Sequence, residues 1–204
     1  MKFKNARKDL SLKNNDRLYL KSKSPFAPTQ YKDLYPKGFK IFTFNSFFKK
    51  KNDDLLIIVF DKTLNVSCKY SLTAMPSAPI IWDKKNNKGK CKALIVNSGN
   101  ANAYTGNLGL KNIDKYVKKL AEYLSCSKKE ILVSSTGVIG EQLNPNLICK
   151  KISNLFFSNN KMLIDAARSI WTTDTFVKTS IYNIKILNKN IKIYGFAKGS
   201  GMIS

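Results

Sequence analysis

Six consecutive apolar residues, Leu55 to Phe60, make the longest hydrophobic run of the chain. Its length suits a buried strand and falls far short of the roughly 18 apolar residues that a membrane span needs. The charged stretch Lys49-Lys50-Lys51-Asn52-Asp53-Asp54 ahead of it reads as a turn. Residues 39–48 alternate in part between apolar and polar and predict an earlier strand, opened by a turn at Pro36-Lys37-Gly38-Phe39-Lys40. Residues 92–97 form a second short apolar strand that ends in a cluster of Asn and Gly. Ile113, Tyr116, Val117, Leu120, Tyr123 and Leu124 then recur at helical spacing, with Asn112 placed to cap. Ser127 and Glu130 have capping-box spacing, although Ile131-Leu132-Val133 has the look of a strand. Asn144-Pro145 is a helix opening, and Leu147, Ile148, Ile152, Leu155 and Phe156 follow on its period. A further helix is expected over 161–170. Ile181 to Leu187, a turn at Asn188-Lys189-Asn190, and Ile191 to Phe196 predict a β-hairpin.

Strands and helices mix here without a strict βαβ rhythm, and no internal repeat is visible. The pattern favours an α+β fold, a layered sandwich, over a doubly wound sheet. Residues 1–35 stand apart. They are polar and Lys-rich, without a clear period up to residue 24, and then carry two prolines at Pro25 and Pro28 that favour an extended path. The expected organisation is an N-terminal extension over 1–35 and one domain over 36–204.

Composition sharpens this picture. Of the 204 residues 43% are apolar, enough for a sizeable core. The formal net charge is +23, which brings nucleic acid, membrane phosphate or an acidic partner into view. Almost all of that charge is Lys spread along the chain; Arg occurs only at Arg7, Arg17 and Arg168. Readers of phosphate and bases lean on the bidentate fork of Arg. A solvated basic surface is therefore favoured over a nucleic-acid face. No apolar segment follows the basic N-terminus, so a secretory signal is not indicated and a cytoplasmic setting is expected. The four cysteines, Cys68, Cys91, Cys126 and Cys149, are too far apart for a CxxC pattern and read as buried thiols. The sequence contains no histidine. That excludes Ser-His-Asp and Cys-His mechanisms within this chain and argues against a catalytic zinc; no metal site is expected.

Four segments are too dense in Gly, Asn, Ser and Thr to be ordinary connectors. They are Asn97-Ser98-Gly99-Asn100-Ala101-Asn102-Ala103-Tyr104-Thr105-Gly106, Ser134-Ser135-Thr136-Gly137-Val138-Ile139-Gly140, Trp171-Thr172-Thr173-Asp174-Thr175 and Ala197-Lys198-Gly199-Ser200-Gly201-Met202-Ile203. Two follow directly on short apolar strands, where sites are commonly built. Small residues let a ligand approach the backbone, hydroxyls and amides supply neutral donors and acceptors, and Lys198 supplies a positive charge. The phosphate-loop pattern is missing, since Lys198 precedes its glycines.

In order and spacing these segments resemble the ornithine acetyltransferase family. Asn97–Gly106 resembles its N-S-G-N-A-N-A-C-T-G, with Tyr104 where Cys is usual. Ser135–Gly140 resembles S-T-G-V-I-G. Thr172–Lys178 resembles T-T-D-T-x-P-K, with Val177 where Pro is usual, and Ala197–Ile203 resembles A-K-G-S-G-M-I. The likeness runs from about residue 36 to the end of the chain.

The resemblance implies a layered sandwich with mixed sheets, of the ornithine acetyltransferase or DmpA-like type, here without the half contributed by the β chain. In that family an Ala-Thr bond cleaves itself, and the freed threonine takes acetyl from N-acetylornithine and passes it to glutamate. By the family's spacing that threonine lies a short way beyond Ser204. Its own α-amino group is the general base, which fits a chain without histidine. The resemblance further implies an oxyanion hole at Thr136 (hydroxyl) and Gly137 (backbone N–H), and substrate-binding positions at Thr173 and Lys198, where Lys198 pairs with a substrate carboxylate. Gly137→Val is accordingly expected to lower turnover while leaving folding intact. Asn97, Asn100 and Asn102 are expected to scaffold the site, and Asp174 to orient a hydroxyl or make a turn. No bound cofactor is implied, with acetyl-CoA an alternative acetyl donor in some members. The implied partner is the β chain in an α2β2 assembly, with no membrane and no nucleic acid, and a lone α chain is expected to expose apolar surface. Two other readings stand beside this one: an inactive remnant lacking the second half, and a Lys-rich nucleic-acid-binding protein.

Overall fold

The structure is a computed structural model and describes residues 35–199. The expected extension over 1–35 lies outside the described residues except for Tyr35, as do Ser200–Ile203 of the last motif. The described part is an α+β sandwich in three layers. A four-stranded mixed sheet, order β1-β2-β3-β4, sits in the middle. Strands β1 (Phe39–Phe44), β2 (Leu55–Asn65) and β3 (Lys90–Asn100) are antiparallel neighbours, and β4 (Ile131–Val138) runs parallel to β3. The parallel step is made by helix α2 (Gly106–Tyr123), as a crossover requires.

The apolar run of β2 has a simple cause. Leu55 and Ile57 face a core shared with Trp82, Ile95, Tyr116 and Ile148, whereas Leu56 and Ile58 face a second core with Ile41, Leu163, Ala166 and Ile170. All four residues are at most 4% exposed. A strand covered on both faces loses the polar half of its alternation. The first core is built by α1 (Ala78–Asn86), α2 and α3 (Pro145–Ile152). The second is built by α4 (Leu163–Ser169) and by Ile181, Tyr194 and Phe196 of the hairpin formed by β5 (Lys178–Ile186) and β6 (Lys189–Ala197).

Boundaries differ from the sequence pattern in instructive ways. Helix α2 begins at Gly106 behind Thr105, six residues before Asn112, which lies inside it. The Asn112 side chain donates to the Leu143 carbonyl at 2.8 Å instead of capping. Helix α3 opens as expected, with the Asn144 carboxamide oxygen accepting from the Asn146 amide, but it ends at Ile152. Leu155 is buried from a separate 3-10 turn, and Phe156 and Phe157 are 82% and 85% exposed. The hairpin turn falls at Leu187-Asn188, both at positive φ (45° and 62°), the two-residue form whose twist matches the flanking strands. Both readings of 127–133 hold: Ser127 and Glu130 close a capping box on a single 3-10 turn, and β4 starts at Ile131. Of the four thiols, Cys91 and Cys149 are buried, whereas Cys68 and Cys126 are only partly covered, so the expectation of four buried thiols is corrected. No helix among the described residues is long and apolar enough to cross a membrane.

Helix α1 is pinned to β4 by Asp83, which is 5% exposed. Its carboxylate accepts from the Val133 amide at 3.2 Å. Burial pushes its pKa up to about 7, against the lowering effect of that hydrogen bond. The folded state therefore holds a proton that the unfolded chain releases near pH 4. Stability is full below that point, falls as pH rises towards about 7, and is level above. Asp83→Asn removes this loss. Relative to the unmodified chain its Tm should be higher by ~5 °C at pH 8, with a smaller gap at about pH 5. Thermal melts at the two pH values check this; an equal gap at both would contradict it.

Candidate active site

Three of the four polar segments meet at one place. Thr136 lies near the end of β4, Thr172 follows α4, and Lys198 follows β6. The Lys198 ammonium donates to the Thr136 hydroxyl oxygen at 2.7 Å and to the Thr172 hydroxyl oxygen at 2.9 Å. An ammonium has three protons, so one remains for a ligand. The Thr136 oxygen accepts from a cation, which leaves its own proton free and polarised for donation.

Asp174 organises the turn that carries Thr172. It is 8% exposed, and one carboxylate oxygen takes both the Lys178 ammonium and the Gly199 amide at 2.7 Å. The other oxygen takes the Thr172 amide at 3.4 Å. Burial raises its pKa, but the bonds from Lys178, Gly199 and Thr172 outweigh burial and hold it below the ordinary carboxylate range. Asp174 is thus an ionised clasp that ties the segment after α4 to the segment after β6. Of the two roles expected for it, orienting a hydroxyl and making a turn, the structure shows the turn: Asp174 accepts from backbone amides and the Lys178 ammonium. Thr173, the other hydroxyl of the turn, is exposed, and it is Thr172 that reaches Lys198. The sequence shows two adjacent threonines and no signal that tells which one points at Lys198.

The fourth segment, Asn97–Gly106, supports the site from behind. Asn97, Asn100 and Asn102 are at most 6% exposed, and each satisfies backbone or hydroxyl groups. Asn97 donates to the Asn100 carbonyl at 2.7 Å and accepts from the Ser135 hydroxyl at 2.6 Å. Asn100 accepts from the Asn102 amide and donates to the Glu141 carbonyl. Asn102 accepts from Thr105, the residue that precedes α2. These bonds tie the end of β3 to β4 through Ser135 and to the loop after β4 through Glu141.

Gly137 requires correction. At φ +136° a Cβ built there would lie 2.3 Å from the Gly99 carbonyl carbon and 2.6 Å from the Asn100 nitrogen. The glycine is needed because the β3 backbone is so close, so Gly137→Val cannot leave folding intact.

Lys49 was not singled out by its sequence. It lies in the charged turn between β1 and β2, yet it is half-buried, and its ammonium donates to the Ser169 carbonyl at 3.3 Å. Burial, opposed by Asp54 and reinforced by the charge of Lys198, lowers its pKa to about 8. Among the described residues no group of three or more His, Cys, Asp or Glu could hold a metal ion.

The described part is a three-layer α+β sandwich in which a lysine from a distant segment bridges a threonine of β4 and a threonine that follows α4. The chain belongs to the ArgJ family, whose profile matches residues 40–204. It is 39% identical over 170 residues to the arginine biosynthesis bifunctional protein ArgJ of Caldanaerobacter subterraneus subsp. tengcongensis, covering 82% of this chain and 42% of that protein. It is 37% identical over 187 residues to the ArgJ protein of Bradyrhizobium diazoefficiens, covering 90% and 45%. The chain thus spans less than half the length of these relatives. The fold is similar to the crystal structure of the ArgJ protein of Bacillus halodurans (TM-score 0.75, 34% identity, 82% of this chain and 90% of that one). It is also similar to ornithine acetyltransferase of Mycobacterium tuberculosis, crystallised with ornithine (TM-score 0.73, 26% identity, 83% and 92%).

Proposed function

We propose that this chain is the α-chain part of an acetyltransferase of arginine biosynthesis that moves acetyl from N-acetylornithine to glutamate. The observation that carries the reading is the Lys198 bridge to Thr136 and Thr172, which gathers hydroxyls and a cation where the family's motifs converge. A threonine of the β chain, beyond residue 204, attacks the acetyl carbonyl, and its own α-amino group takes the hydroxyl proton. Negative charge builds on the carbonyl oxygen, and the Thr136 hydroxyl and Gly137 amide donate to it. The C–N bond breaks, the amine leaves with the proton as ornithine, and the acetyl group stays as an ester on threonine. Glutamate's amine then attacks that ester through the same oxyanion, giving N-acetylglutamate and the free threonine. Lys198 and Thr173 bind substrate, Lys198 through the carboxylate that both substrates carry. Ornithine in the mycobacterial relative supports this substrate class. Acetyl-CoA is an alternative donor that the same ester could serve.

The β chain is the partner, in an α2β2 assembly of the cytoplasm. Exposed apolar residues, Phe156 and Phe157 beside the first core and the cross-strand pair Tyr182 and Ile193 on the hairpin, support covered surface in the complete protein. The test uses the full-length protein, incubated with N-acetylornithine and isotope-labelled glutamate. Labelled N-acetylglutamate should appear, and the threonine chain should gain the mass of one acetyl group when quenched before glutamate is added. An inactive remnant would show neither, and absence of both overturns the reading.

A further inference from the structure

We propose that Lys49 is a second cationic contact for the acyl acceptor, binding a carboxylate other than the one that Lys198 holds. The proposal rests on the acetyltransferase reading and deepens it.

The loop that carries Lys49 is locked in place. The amides of Ser46 and Lys49 donate to the two carboxylate oxygens of Asp54, at 2.7 and 2.8 Å, and Asp54 is fully buried. The same loop lies on Gly99, where an added Cβ would come 2.8 Å from the Phe48 carbonyl oxygen. Lys49 is thereby held over the polar end of β3. Its ammonium shares the Ser169 carbonyl with the Ser98 hydroxyl. Ser169 ends α4, and the turn that follows carries Thr172, the second acceptor of Lys198. Two ammonium groups therefore flank one short turn.

Neither ammonium has a carboxylate partner. Among the described residues no ion pair includes Lys49 or Lys198. The nearby carboxylates are already occupied: Asp174 by Lys178 and backbone amides, Asp54 by backbone amides, and Asp53 by the Thr43 hydroxyl. Lys49 is left with one long bond to a carbonyl, and its other protons are unused. Burial and the like charge of Lys198 disfavour the Lys49 ammonium by more than Asp54, Asp174 and Asp53 favour it, and an anionic ligand relieves that cost. Glutamate carries two carboxylates. N-acetylornithine carries one, with a cationic amine at the far end of its side chain. A single site that takes both in turn needs a group that can be charged for one and neutral for the other. Lys49 meets that need: burial, with Lys198 acting against the pull of Asp54, Asp174 and Asp53, brings its pKa down to about 8. Its proton goes to solvent when the ornithine ammonium is near, and returns when a carboxylate is.

The test compares Lys49→Met and Lys49→Arg in the full-length protein, with the two half-reactions read separately. Lys49→Met should raise KM for glutamate by about tenfold, the size of one charge-assisted hydrogen bond. It should leave acetyl-threonine formation from N-acetylornithine within about twofold and narrow the preference for glutamate over glutamine. Lys49→Arg should restore the glutamate KM. In the unmodified protein that KM should rise above about pH 8, and in Lys49→Arg this rise should vanish. An unchanged glutamate KM in Lys49→Met overturns the proposal. So does an equal loss in both half-reactions with a lowered Tm and an unchanged glutamate-to-glutamine ratio, the mark of a merely structural lysine. Failure of the unmodified protein to form acetyl-threonine overturns the acetyltransferase reading, and this proposal with it.

Discussion

Gly137→Ala, the smallest possible change at the strand end, is expected to cost about 4 kcal/mol of stability and lower Tm by about 10 °C. Two penalties add. At φ +136° the backbone sits where an L side chain is strained, and the new methyl would have to push back the Gly99-Asn100 backbone. That backbone is held by the Ser98 amide on the Asp54 carbonyl, the Ala101 amide on the Val138 carbonyl, and the side chains of Asn97 and Asn100. It has little freedom to give way. Thermal or urea unfolding of the variant beside the unmodified chain measures the effect. A Tm within a degree or two of the original would show that the β3–β4 approach is looser than described.

Thr136→Val keeps the shape of the side chain and removes its hydroxyl, and we expect kcat of the full-length enzyme to fall by about 10²–10³, the range for loss of one oxyanion donor. Thr136→Ser should keep most of the activity, and Tm should move little, because Thr136 is only partly covered. The variant also takes from Lys198 one of its two hydroxyl acceptors, so some rise in KM accompanies the loss in kcat. Retention of half or more of the turnover by Thr136→Val would remove Thr136 from the oxyanion role.

The elements that could be read along the chain are those whose cause is local. Strand β2 shows itself because both its faces are covered, and α2 because Ile113, Tyr116, Val117 and Leu120 fall on one stripe. Helix α1 has no such stripe. Its buried residues are Ala78, Pro79, Trp82 and Asp83, and the last of these is a carboxylate that only a strand amide from β4 makes tolerable. The start of α2 differs from the sequence expectation for a similar reason: the helix begins behind Thr105, whose hydroxyl donates to Asn102 in the loop, and Asn112 finds a partner at Leu143. The charged stretch at 49–54 reads only as a turn, yet Asp54 is buried under the amides of its own loop and Lys49 is half-buried, reaching across the fold to Ser169.

The site divides in the same way. The residue types and their order are properties of the chain itself, and the family resemblance that they carry names Thr136, Gly137, Thr173 and Lys198 as candidates. Which of them meet is another matter. Lys198 stands 62 residues from Thr136 and 26 from Thr172, and their contact exists because the hairpin and α4 pack on one face of the sheet at the end where β4 stops. Choosing Thr172 rather than Thr173 as the neighbour of Lys198, finding Lys49 beside them, and giving Gly137 its reason in the Gly99 backbone all depend on distances between segments remote in sequence. Hydrophobic periodicity reports which way a residue faces within its own element, and it carries no information on what the neighbouring element brings to meet it.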